Sequence, residues 1–135
     1  MLDTEVKKIV LKHGQILGTP DSPEQLEIMD FDHKSITLRL EKPKENYICY
    51  YIIQQKEYMD STGWQDALIT NDQNTRTTQD KLEVQVPGLR EGRWYQFRVI
   101  AVNKAGKSDP SPETEPHVCK AKGEFNAPVL RMAVD

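Results

Sequence analysis

The stretch Leu82–Gly106, LEVQVPGLREGRWYQFRVIAVNKAG, leaves few folds open to this chain. Val84 and Val86 share one parity before PGLREG, and Tyr95, Phe97, Val99 and Ala101 share one after it. A period of two over that length describes two half-buried β-strands. Between them Leu89, Gly92 and Tyr95 stand at L-x-x-G-x-x-Y spacing. A Tyr that enters a strand shortly after such a Gly buries its ring while its hydroxyl returns to the backbone of the preceding connection. That is the corner of a two-sheet sandwich, and it requires a second sheet to pack on.

Alternation elsewhere supplies the remaining strands. Gln25–Asp30 reads as the first, with Leu26 and Ile28 inward. Ser35–Glu41 is the second, with Ile36, Leu38 and Leu40 on one face and Thr37 and Arg39 on the other. Ile48–Glu57 is a long third strand with Tyr51 and Ile53 inward; Gly63 ends it before Trp64, and Gln65–Ile69 is a short fourth. The polar run TNDQNTRTTQD, Thr70–Asp80, has too little apolar surface to fix itself and is predicted to be a mobile loop. Beyond the opening stretch, NKAGKS makes a hairpin loop in which Gly106 supplies positive φ. Pro110 and Pro112 interrupt pairing there, because proline has no N–H for a ladder, and Glu113 to about Ala121 reads as the last strand.

From about Pro20 to Val118 these residues resemble a fibronectin type III domain: the entry TPDSPEQLEI, the strands SITLRL and ICYYIIQQKE, then Trp64, then PGLREGRWYQFRVIAVNKAGKSDPSP. The resemblance implies an all-β, seven-stranded, immunoglobulin-like two-sheet sandwich over residues 20–121, with Leu38, Tyr51, Leu89, Gly92, Tyr95, Phe97 and Val99 in its structural core. Leu40 departs from the family pattern, which places Trp on the second strand, so the core must close differently around it. Residues 1–19 read either as a flexible leader or as the end of a preceding immunoglobulin-like module, with Glu5–Leu11 as the end of a strand. TPDSP marks the boundary, and residues 122–135 read as a linker to a following module.

Composition narrows the function. A net charge of -3 offers no phosphate-seeking field, which argues against nucleic acid. No apolar run approaches the roughly 20 residues of a membrane span, and Ile9–Leu11 is too short for a secretory signal. Cys49 on the third strand and Cys119 near the end of the last are too far apart in such a sandwich for a disulfide, and no N-x-[ST] sequon occurs; both features favour a reducing, cytoplasmic setting. His13, His33 and His117 fall in the leader, a turn and the last strand, with no H-x-x-x-H or C-x-x-C spacing to hold a metal. Cys49 reads as a small buried thiol and not as a nucleophile. No catalytic, cofactor or metal residues are assigned, and the chain is read as non-enzymatic.

One feature goes beyond the family pattern. Tyr50 and Ile52 on the third strand, and Trp94, Ile100 and Val102 on the sixth, all have outward parity. Five apolar side chains on a nominally wet face form a candidate protein-binding face, the plain alternative being cross-strand pairing beneath the stems of Arg98 and Lys56. The loop after Asn103 reads KAGKS and lacks RGD, and SDPSP stands where cytokine receptors carry W-S-x-W-S. The resemblance therefore implies a load-bearing, protein-interaction module of a giant sarcomeric protein of the titin or twitchin kind. Its partners would be adjacent immunoglobulin or fibronectin type III modules and filament proteins, and the isolated domain would be a monomer. The alternative is an extracellular module of a cell-adhesion receptor; a catalytic unit of another class lacks the parts.

Overall fold

The computed structural model describes residues 9–10, 16–43, 47–71 and 73–122. Its strands in chain order are β1 (Ile9–Val10), β2 (Ile16–Leu17), β3 (Glu27–Phe31), β4 (Ile36–Glu41), β5 (Tyr50–Glu57), β6 (Gln65–Ile69), β7 (Thr75–Thr77), β8 (Lys81–Val86), β9 (Trp94–Asn103), β10 (Gly106–Lys107) and β11 (His117–Val118). One sheet has the order β3-β4-β8-β7. The other runs β10-β9-β5-β6, with β11 also on β9, and every pairing in both is antiparallel. β1 and β2 pair separately as a short antiparallel ladder. Most of the predicted leader, including His13, and residues 123–135 of the predicted linker lie outside the described residues.

The two sheets face each other across the layer that the alternation predicts. Ile36, Leu38 and Leu40 of β4 and Leu82, Val84 and Val86 of β8 meet Tyr51 and Ile53 of β5 and Tyr95, Phe97, Val99 and Ala101 of β9. Leu40 is fully buried, so the core closes around a leucine at the position where the family carries an indole. The Tyr95 and Phe97 rings stack at 6.4 Å between centroids. Leu89 is buried, whereas Gly92 is exposed at φ 85°. Gly92 therefore belongs to the turn before Tyr95 and contributes a left-handed backbone, not core volume.

Four local readings need correction. The register of β3 against β4 shifts between Ile28 and Asp30, so Ile28 and Phe31 both lean on the core while Met29 is turned out. A bulge changes parity, which strict alternation cannot foresee. The segment Thr70–Asp80 is not a simple loop: Asn71 Oδ1 accepts the N–H groups of Gln73 and Asn74, and β7 then pairs with β8. Side chain to backbone bonds order it where apolar burial does not. The last strand is regular only at His117–Val118. Finally, Cys49 is exposed just before β5, and Cys119 is the buried thiol, its pKa pushed up by burial.

Candidate functional site

The outer face of the five-stranded sheet and the two ends of β9 carry the features that bear on function. The predicted face of Tyr50, Ile52, Trp94, Ile100 and Val102 does not form one exposed patch. Ile52, Ile100 and Val102 are 5, 9 and 7% exposed and form a buried cluster of their own, while Tyr50 and Trp94 are exposed. Cross-strand pairing explains the clustering, since Tyr50 stands opposite Val102 and Ile52 stands between Ile100 on β9 and Ile69 on β6. Trp94 lies at the far end of the sheet from them.

Between the two ends the outer face is polar and tied down. Arg98 Nε donates to Gln54 Oε1 at 2.7 Å, and Gln54 Nε2 donates to Asp66 Oδ1 at 2.8 Å. The Arg98 guanidinium lies 4.4 Å from the centroid of Trp64, and Lys56 Nζ lies 5.5 Å from it. The indole and the two cations hold each other on the surface by cation–π attraction, which leaves Trp64 half-buried.

Each end of β9 holds a passing segment of chain. At the entry end, Asn103 is buried; its Oδ1 accepts from the N–H of Ala105 at 2.8 Å and of Gly106 at 3.2 Å, and its Nδ2 donates to the Gly18 carbonyl at 2.9 Å. At the exit end, Gly92 N–H donates to the Cys119 carbonyl at 2.7 Å, and Cys119 N–H donates to the Arg93 carbonyl at 3.0 Å. The Cys119 thiol donates to the Asp32 carbonyl. Tyr95 makes its corner here, the hydroxyl accepting the Arg90 N–H at 2.9 Å. Asp32 Oδ1 accepts from the N–H groups of Lys34 and Ser35 and from the Ser35 hydroxyl, and these bonds, led by the one from Lys34, hold its carboxyl below the ordinary range.

Between the two ends, residues 108–114 follow β9 without forming a regular strand. Ser108, Ser111 and Thr114 donate their N–H groups to the carbonyls of Ala101, Val99 and Phe97 at 2.8 to 2.9 Å. Their hydroxyls accept in return from the N–H groups of Ala101, Val99 and Phe97 at 2.9 to 3.0 Å. All three are buried. Neither Asn103 nor this hydroxyl series is foreseen by apolar alternation; the signal was S-x-x-S-x-x-T, a period of three.

Among the described residues, no group of three or more His, Cys, Asp or Glu could hold a metal ion, and no helix is long and apolar enough to cross a membrane. His117 rests against Phe31 at 4.9 Å between ring centroids, and His33 sits exposed in the turn after β3. A depression of about 780 Å³ at the entry end is lined by Cys49, Tyr50, Glu41, Lys42 and Lys81 among others, and within it Lys81 and Glu41 pair at 2.7 Å.

The family model for the fibronectin type III domain matches residues 21–117. Titin of Drosophila melanogaster is 35% identical over 112 residues, covering 83% of this chain and 1% of that protein. Neural cell adhesion molecule L1 of Takifugu rubripes is 34% identical over 95 residues, covering 68% of this chain and 7% of that one. A solved structure of the twitchin kinase region from C. elegans superposes with a TM-score of 0.64 at 26% identity, covering 77% of this chain and 17% of that one. The chain thus spans a small fraction of the relatives it matches, which include both giant muscle proteins and adhesion receptors.

Proposed function

This chain belongs to the fibronectin type III family, and from that premise we propose that it serves as a non-catalytic, load-bearing and protein-binding module of a giant sarcomeric protein of the titin or twitchin kind. Its neighbours in that setting are other immunoglobulin or fibronectin type III modules and filament proteins, and its place is the cytoplasm of the muscle cell. One observation carries the reading. β9 has ten residues, about 30 Å of strand, and it grips the entering chain at one end and the leaving chain at the other. Tension applied through the two flanking segments runs along β9 and loads the bonds beside it in shear.

Force spectroscopy on the chain held by its two ends tests this. A single cooperative rupture is expected, and smooth extension with no discrete event would overturn the load-bearing role. A second reading, an extracellular module of an adhesion receptor, is favoured by the similarity to the adhesion molecule L1 of Takifugu rubripes. Labelling of the parent protein by a membrane-impermeant reagent on intact cells would select that reading over the sarcomeric one.

A further inference from the structure

The entering chain is fastened along the leaving chain by side chains. Asn103 Nδ2 donates to the Gly18 carbonyl at 2.9 Å, Ser22 Oγ to the Pro110 carbonyl at 2.8 Å, and Gln25 Nε2 to the Glu113 carbonyl at 3.1 Å. The partners advance together, so residues 18–25 run in the same direction as residues 103–113 and lie on them as a strap. Among the described residues no backbone–backbone hydrogen bond reaches residues 18–25, and the β3–β4 ladder begins only at Glu27. The strap can therefore lift without opening a sheet. Ser22, its middle fastening, is exposed; so are Asp21 and Glu24 beside it and Asp109 and Glu113 on either side of the Pro110 acceptor. Like charge lines both segments, and the hydroxyl bond holds them together against it. Lys42, which lines the same depression as Ser22, has its ammonium on the Thr78 carbonyl.

Hydroxyl residues precede proline at Thr19, Ser22 and Ser111. Ser111 is buried and its hydroxyl holds the Val99 N–H, so the folded chain withholds it. Thr19 is exposed, but its hydroxyl has no partner among the described residues, and changing it would undo no fastening. Ser22 combines exposure, a following proline that keeps its backbone extended, and a bond that the fold uses. We propose that Ser22 is a phosphorylation site for a proline-directed serine/threonine kinase, and that the phosphate unlatches the entering chain. In that step Ser22 Oγ takes the γ-phosphoryl group of ATP, ADP leaves, and the hydroxyl proton passes to the kinase's base and on to water. The donor to Pro110 is lost, and about two negative charges are added among the carboxylates of Asp21, Glu24, Asp109 and Glu113, which drives the two segments apart. A kinase and its ATP act in the cytoplasm, so the modification in the cell rests on the cytoplasmic reading proposed above; the latch itself does not.

The test incubates the whole purified chain with a proline-directed kinase, Mg²⁺ and ATP, and maps the phosphate by mass spectrometry. Incorporation at Ser22 is expected; phosphate at Thr19 alone, or none, overturns the site. Release of the strap is measured as cleavage after Glu24 by a glutamate-specific protease, relative to a peptide of residues 19–27 carrying the same change, so that the protease's own response to phosphate cancels. Phosphorylation is expected to raise this ratio about ten-fold, and Ser22→Ala, which loses the donor without adding charge, about three-fold. Salt at about 1 M should bring the phosphorylated chain close to Ser22→Ala. A ratio that stays the same overturns the latch, as does one that falls because the phosphate pairs with Lys42 or Lys107. Loss of the β-sheet signal in circular dichroism also overturns it, since the sandwich and not the strap would then have opened. Surface labelling of intact cells would remove the cytoplasmic setting without touching the purified-chain result, and the rupture experiment is independent of both.

Discussion

β9 is held on its two sides by different means. On one side β5 matches it residue for residue, from Tyr50 opposite Val102 to Glu57 opposite Tyr95, and Tyr51 and Ile53 of β5 are buried with Tyr95, Phe97, Val99 and Ala101 of β9. On the other side the chain advances three residues for every two of β9, so that Ser108, Ser111 and Thr114 meet Ala101, Val99 and Phe97. Pro110 and Pro112 lie between these contacts, where an N–H would be wasted. The hydroxyls take the place of strand carbonyls as acceptors for β9. The Thr114 carbonyl, freed from that duty, accepts from Gln96 Nε2 at 3.1 Å. One flank is thus secured by apolar burial along a regular ladder, the other by polar atoms that a buried N–H cannot do without. The second flank also gives a further chain nothing regular to pair with, which protects an otherwise open sheet edge.

Removing apolar volume from the β5 flank should have the largest effect. Ile53 is fully buried, and Ile53→Ala is expected to cost about 2 to 5 kcal/mol in urea denaturation. On the other flank Ser111→Ala removes few atoms but leaves the Val99 N–H buried without an acceptor, for an expected loss of about 1 to 3 kcal/mol. Ser111→Thr keeps the hydroxyl and should restore most of it. If Ser111→Ala changed the urea midpoint no more than an exposed substitution such as Glu113→Ala, the two flanks would not differ as described.

The same contrast explains what was legible in the sequence. β4, β5, β8 and β9 declare themselves because a period of two in Ile, Val, Leu and aromatic residues has one simple structural meaning. The corner was legible too, since Leu89, Gly92 and Tyr95 encode it locally. The edge beside β9 reads in the sequence as pairing interrupted at Pro110 and Pro112 with a strand only from Glu113, because its period is three and its working atoms are hydroxyls, which count as polar in any hydropathy pattern. Phe31 was missed as a core contact because the bulge at Met29 resets parity, and β7 because Asn71 orders its approach through side chain to backbone bonds. The candidate face was legible only as parity. That Ile52, Ile100 and Val102 are buried while Trp94 is exposed depends on what covers each end of the sheet, which strand periodicity does not record.

The exit end of β9 offers a finer comparison, between a bond that water can replace and one that depends on charge. Tyr95→Phe removes the acceptor for the Arg90 N–H, but that bond is only part-buried and Arg90 itself is exposed, so water is the expected replacement. The expected loss is about 0.5 to 1.5 kcal/mol, below that of Ser111→Ala. Smaller still at neutral pH is Asp32→Asn, because an amide oxygen can accept the same bonds from Lys34 and Ser35.

The effect of Asp32 shows in acid. Its carboxyl titrates below the ordinary value in the folded chain, so the folded state binds its proton less readily than the unfolded state does. Its stabilisation is therefore complete above the ordinary aspartate pKa of about 3.9 and is lost as pH falls through the lower folded value. Asp32→Asn should flatten the acid side of a plot of thermal midpoint against pH while leaving the neutral plateau nearly in place. Asp30 and Glu41 carry the same sign, but lysines lower them, Lys122 for Asp30 and Lys81 for Glu41, so high salt should weaken their share. Asp32 is held by backbone N–H groups and a hydroxyl, so its share should persist in salt. An acid limb that vanished in salt would assign the effect to the lysine pairs and remove Asp32 from the account of how the exit end is held.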